Sequence, residues 1–176
     1  MGMTKSVFGK TSNGEVVHLV TVSNQKGMSI EVLDYGATLV SVNVPDKDGH
    51  TEDVALGYDD VLDYEKGDAY LGATVGRCGN RVDHAEFSIN GKEYFMEKNE
   101  GENVCHSGPR CYSRRMWDME LLEEENSVRF HLVSPNMDQG FPGTFEVTVT
   151  YTLTEENELK IHYNGTCDQD SLINMT

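Results

Sequence analysis

The sequence predicts an all-β fold, an antiparallel β-sandwich, on three observations. Apolar residues recur with period two, turn dipeptides separate the alternating runs, and no stretch sustains a helical period. Alternation turns one set of side chains to a core and the other to solvent. Many such strands at short spacing pack as a sandwich or barrel.

The elements follow in chain order. Val16, His18, Val20 and Val22 alternate with other side chains, Ile30, Val32 and Leu33 do so in part, and Leu39, Val40, Val42 and Val44 make a third run. Asn13-Gly14 and Asp48-Gly49 supply reversing backbone conformations. Val61–Lys66 reads as one short helical turn, capped by Asp59 or Asp60. Residues 86–95 read as a hairpin, because Asn90-Gly91 suits a two-residue type I′ turn between apolar flanks. Val128, Phe130 and Leu132 mark another strand. Pro142-Gly143 then leads into the longest run, Phe145, Val147, Val149 and Tyr151, and a turn at Glu155-Glu156-Asn157 joins it to Leu159, Ile161 and Tyr163. Linkers, repeats and low-complexity tracts are not evident, so residues 1–176 are read as one domain or part of one.

Composition narrows the function classes. The formal net charge is −16, which repels a phosphate backbone and argues against nucleic acid as a partner. No apolar run nears the roughly 20 residues of a membrane span. Met1 to Ser12 lack the basic start and apolar stretch of a signal peptide, so a cytoplasmic location is expected. Cys78, Cys105, Cys111 and Cys167 are then expected to be free thiols. Cys105-His106 with Cys111 fits no standard zinc spacing, so no metal and no cofactor is expected.

Three polar, glycine-rich clusters stand out. In the first, Gly72 to Arg81, small residues let backbones approach closely, and Arg77, Asn80 and Arg81 offer the donors and acceptors that suit sugar hydroxyls. A glycine-rich turn braced by arginine salt bridges explains the same residues. In the second, Asn99 to Gly108, His106 has the chemistry to bind a hydroxyl or move a proton, and equally that of a surface or capping histidine. The third, Ser134 to Gly143, reads as a proline-braced turn that fixes strand register. His18, His131 and His162 lie in strand-like runs and read as structural or exposed. His50 and His84 read as turn or solvent residues.

In this order the clusters resemble the galactose mutarotase family of aldose 1-epimerases. Asp34-Tyr35-Gly36-Ala37-Thr38-Leu39, Asp53 to Asp59, Gly76-Arg77 with Asn80-Arg81, Ala85-Glu86-Phe87, Asn90 to Tyr94, His106, Trp117, Gly140-Phe141-Pro142-Gly143 and Val149 to Leu153 carry the likeness. Each motif is weak alone, and the ordered series is specific. Three departures stand out: the family's His-Gly-Gly reads His106-Ser107-Gly108, the next expected glycine region reads Arg110-Cys111-Tyr112, and Phe141 replaces a usual tyrosine.

The resemblance implies an isomerase that interconverts the α- and β-anomers of a hexose such as galactose or glucose, on a galactose mutarotase-like supersandwich, without metal or cofactor. It implies substrate binding by Asn80, Arg81 and His106, with His106 also the catalytic candidate within this stretch. It further implies that the general-acid histidine, a sugar-binding aspartate and the general-base glutamate lie beyond Thr176. On this reading the chain is an N-terminal portion of the domain, incomplete at its C-terminus and inactive alone. It is expected to fold poorly and self-associate, with Phe145–Tyr151 and Leu159–Tyr163 left uncovered. A non-catalytic carbohydrate-binding or regulatory module on the same fold is the alternative. A hexose-phosphate epimerase lacks support from so acidic a chain.

Overall fold

The computed structural model describes residues 2–176; Met1 lies outside the described residues. Five strands form the first sheet in the order of the chain: β1 (Gly2–Lys10), β2 (Val16–Ser23), β3 (Ser29–Leu33), β4 (Thr38–Pro45) and β5 (Thr51–Asp53). Four form the second: β10 (Asp118–Leu122), β11 (Ser127–Ser134), β12 (Phe145–Leu153) and β13 (Leu159–Cys167). All neighbouring strands in both sheets run antiparallel. Between the sheets in sequence lie the single-turn helix α1 (Val61–Lys66) and two small ribbons. One pairs β6 (Arg81–Val82) with β9 (Val104–Cys105), the other β7 (Glu86–Ile89) with β8 (Lys92–Phe95).

The inward residues of the two sheets meet in one core. Val20 and Val22 of β2 and Ile30 and Val32 of β3 share a cluster with Val128, Phe130, Val147, Val149 and Tyr151 of β11 and β12. This is the predicted sandwich. The partial alternation at Ile30-Val32-Leu33 also has a cause. A bulge between Glu31 and Val32 shifts the register with β4, and Leu33 and Val40 turn to the opposite face, where Val61 and Tyr64 of α1 cover them. Asp60 caps that helix, its carboxylate accepting from Leu62 N–H at 2.7 Å.

In the two main sheets β1, β5 and β10 escaped the period-two reading, β5 being only three exposed residues. β1 lies mostly exposed and its register with β2 is broken between Val7 and Gly9, so backbone pairing rather than an apolar stripe holds it. β10 is five residues with two acids facing solvent. The expectation of uncovered core faces needs correction for β12: Phe145, Val147, Val149 and Tyr151 are all buried against the first sheet. It fits β13, where Ile161 and Tyr163 are 43% and 38% exposed.

The loops have specific braces. Asn90 and Gly91 both take positive φ, as a type I′ turn requires. Phe87 of that hairpin stacks on Tyr94 and on Phe141 of the Ser134–Gly143 loop. Arg77 explains why that loop holds. Fully buried, it donates from Nε to Ser134 Oγ and from its two terminal nitrogens to the carbonyls of Ser134, Pro135, Pro142 and Gly143 and to Ser171 Oγ. The expected arginine bracing is thus real, but at Arg77 it runs through carbonyls rather than a salt bridge.

Candidate sugar site

The short β6–β9 ribbon builds the site. Arg81 pairs with Cys105, which sets Asn80 and His106 side by side just outside the paired residues. His106 N–H donates to Asn80 O at 2.9 Å, and Asn80 N–H donates to the imidazole Nδ1 at 3.1 Å. A ring nitrogen that accepts from a backbone N–H carries no proton, so the neutral ring keeps its proton on Nε2. Asn80 and His106 both take positive φ, a conformation that places their backbones for this exchange. Tyr70 lies against the imidazole, with ring centroids 4.6 Å apart.

Arg81 is oriented by a carboxylate. Its Nε and one terminal nitrogen donate to Glu100, the latter at 2.6 Å, and the other terminal nitrogen reaches Asn80 Oδ1 at 3.2 Å. The Asn99 amide fixes the loop that carries Glu100, accepting from Cys105 N–H at 2.7 Å and donating to Cys105 O at 2.9 Å. The far wall comes from the last residues: Thr176 exchanges two backbone hydrogen bonds with Val75, at 2.7 and 3.2 Å. Close backbone packing also shapes this wall, because a Cβ on Gly72 would sit 1.9 Å from Leu39 O. The result is an open cleft of about 730 Å³ lined by Tyr70, Asn80, Arg81, Glu100, His106 and Thr176 among others.

Charge in the cleft is ordered. Burial, then the Arg81 guanidinium, hold the His106 imidazolium less stable than usual and lower its pKa, against a smaller opposing pull from Glu100. The hydrogen bonds from Arg81 lower the pKa of Glu100. Burial pushes the Cys105 thiol up, away from thiolate chemistry. At neutral pH the cleft therefore presents a neutral imidazole with an Nε2 donor, a guanidinium and an ionised carboxylate.

The structure brings Asn80, Arg81 and His106 to one cleft. Arg77 is elsewhere, in the brace described above, and the Ser134–Gly143 loop does not line the cleft. Cys111 is buried beside Ser113 Oγ, at 2.9 Å. Among the described residues no three histidine, cysteine or acidic groups converge as a metal site. His18 bonds Asp34 at 2.7 Å, and His84 lies exposed next to Asp83. Sequence reasoning did not single out Asp68, Tyr70 or Glu100. The signal for Glu100 was its place in the same polar loop as His106; Asp68 and Tyr70 carried none.

The sequence profile described as aldose 1-epimerase matches residues 18–176. The chain belongs to the aldose 1-epimerase family. It is 42% identical over 164 residues to an aldose 1-epimerase of Haemophilus influenzae, covering 93% of this chain and 47% of that protein. It is 34% identical over 178 residues to the galactose mutarotase of Sus scrofa, covering 100% of this chain and 51% of that protein. The crystal structure of galactose 1-epimerase from Lactobacillus acidophilus NCFM superposes with a TM-score of 0.86 at 27% identity, over 99% of this chain and 51% of that one. The chain thus spans about half the length of the curated relatives it matches. All-β architecture and two antiparallel sheets are what this galactose mutarotase-like fold consists of.

Proposed function

We propose that this chain serves an aldose 1-epimerase reaction by holding a hexose, galactose or glucose, in the Asn80–Arg81–His106 cleft. The observation that carries the reading is the fixed pair of His106 and Asn80, which commits the imidazole to the Nε2–H tautomer beside an oriented guanidinium. Sugar hydroxyls both donate and accept, and this set meets them with donors from Arg81 and Nε2 and an acceptor in Asn80 Oδ1.

Mutarotation needs two proton transfers. A base takes the proton from the anomeric hydroxyl while an acid protonates the ring oxygen. The ring opens, the aldehyde carbon rotates, and closure on the other face gives the second anomer. Arg81, Asn80 and His106 orient the ring for this, a proximity contribution. Arg81 lowers the pKa of Glu100 and so makes its carboxylate a weak base, and His106 has Nδ1 occupied by Asn80 N–H, so we assign both to orienting the sugar. In this reading the acid and base come from outside residues 1–176, as the resemblance implies. Each such group contributes on the order of 10²–10⁴-fold.

The test joins binding to turnover. Galactose titrated into the chain should shift the NMR resonances of Asn80, Arg81 and His106. Polarimetry of fresh α-D-galactose should show a rate at or slightly above a buffer blank. Unmoved resonances at high sugar overturn the binding assignment, and turnover equal to that of a complete family enzyme overturns the division of labour. A second copy of the chain, meeting this one along the β13 edge where Ile161 and Tyr163 are exposed, is the further partner we infer.

A further inference from the structure

Ser107 follows His106 where the sequence departs from the family's His-Gly-Gly. Its φ is +65°, a left-handed conformation that a side chain disfavours. The side chain is 3% exposed and makes two hydrogen bonds to one residue: Cys78 N–H donates to Ser107 Oγ at 2.8 Å, and Ser107 Oγ–H donates to Cys78 O at 2.9 Å. Cys78 is itself 7% exposed, so the hydroxyl supplies both of its buried backbone groups with a partner. The neighbouring peptides are tied on the other side, where Gly79 N–H donates to Asn174 O and Asn174 N–H to Arg77 O. Without the hydroxyl, nothing described binds the Cys78 peptide groups to the His106 loop. The Asn80–His106 exchange lies two residues from Cys78 and one from Ser107. Its 2.9 and 3.1 Å bonds depend on how far apart the two loops sit.

We propose that Ser107 is a positioning residue: beside the β6–β9 pairing that brings the two loops together, its clamp on the Cys78 peptide groups holds Asn80 N–H within reach of His106 Nδ1 and so fixes the imidazole's tautomer. The inference rests on the sugar-site reading for its consequence, but not for its test. Arg81, Glu100, Tyr70, Cys105 and Asp68 are the charged and titratable groups of the cleft around the ring, and none of them hydrogen-bonds the Ser107 hydroxyl.

Nitrogen-15 NMR of the histidine rings in the 176-residue chain, without sugar, reads the clamp directly. In the wild type His106 should show an unprotonated Nδ1, a protonated Nε2 and a titration midpoint below that of a free histidine. Ser107→Gly accepts the left-handed backbone freely and removes the hydroxymethyl group, and the clamp with it. It should give mixed tautomers, a midpoint returning toward the free value, and hydrogen exchange at the Cys78 and Asn80 amides faster by about tenfold. Ser107→Cys keeps the bulk with a poorer hydrogen-bonding group and should move the same readouts in the same direction. A folded Ser107→Gly chain with His106 tautomer, midpoint and Asn80 exchange as in the wild type overturns the proposal. If Ser107→Gly does not fold, Ser107→Cys decides by the same criteria. Galactose titration separates the two readings: a wild type that ignores galactose counts against the proposed function alone, since the ring readouts need no sugar.

Discussion

At the scale of the residue, His106 is a base held short of its proton. An unfolded histidine titrates at about 6.5. In the folded chain burial and Arg81 lower that value, with Glu100 in partial opposition. Below about 6.5 the unfolded chain therefore binds more protons, and stability falls as the pH drops through the folded midpoint. Protonation at Nδ1 also breaks the bond from Asn80 N–H, so galactose binding should be lost over the same range. A midpoint at or above 6.5 in an NMR titration of the ring would contradict this. Arg81→Ala should weaken galactose binding far more than His84→Ala. The guanidinium meets the cleft, whereas His84 is exposed beside Asp83. Each charged hydrogen bond lost is worth roughly 1.5–3 kcal/mol, and equal affinities by calorimetry would sink the assignment. The sequence made Asn80, Arg81 and His106 legible because the resemblance is ordered along the chain. It hid Glu100 as Arg81's partner, because Glu100 sits in the loop ahead of β9 and the ribbon that brings that loop to Arg81 has strands only two residues long, too short for any period to announce.

At the scale of the element, Arg77 joins three parts of the chain. Its donors reach four carbonyls at the end of β11 and in the loop before β12, of which Pro135 O also accepts from Asp138 N–H. Arg77→Met fills similar space and takes a donor from each of them. It should cost about 3 kcal/mol or more, at about 1–3 kcal/mol for each buried carbonyl left without a donor, read as a shifted urea midpoint. A loss under about 1 kcal/mol would mean that water replaces the guanidinium. Asp60→Ala removes a single cap on a six-residue helix and should cost only about 1 kcal/mol. The strands with one wet and one dry face, β2, β11 and β12, were readable from alternation. β1 was not, because pairing with β2 holds it in place while most of its side chains face water, Met3 and Phe8 excepted, and period two reports burial rather than pairing.

At the scale of the whole molecule, core and edge point in different directions. Trp117 is buried in the cluster that residues of both sheets share, so the sheets should come apart together. Tryptophan fluorescence and far-UV circular dichroism should report one coincident thermal transition; separate transitions would mean that the sheets fold independently. The edges carry the liability. Of the strands that end the two main sheets, β5 and β10 bear acids and β1 bears Lys5 and Lys10. β13 has Lys160 as its one charged residue other than histidine, no proline, and Ile161 and Tyr163 exposed. Open edges with apolar side chains template pairing with another chain. In a molecule of net charge −16, the edge strands without acids, β1 and β13, are where a second copy meets least repulsion, and β13 exposes the larger apolar side chains. Salt screens the remaining repulsion, since the Debye length falls from about 10 Å at 0.1 M to about 3 Å at 1 M. Association through β13 should therefore rise with ionic strength. Ile161→Lys with Tyr163→Lys should abolish it and leave the melting transition in place, because neither side chain belongs to the shared core. Size-exclusion chromatography at low and high salt checks both halves. A wild type that stays monomeric at 1 M salt, or a double variant that associates as the wild type does, would remove β13 as the interface.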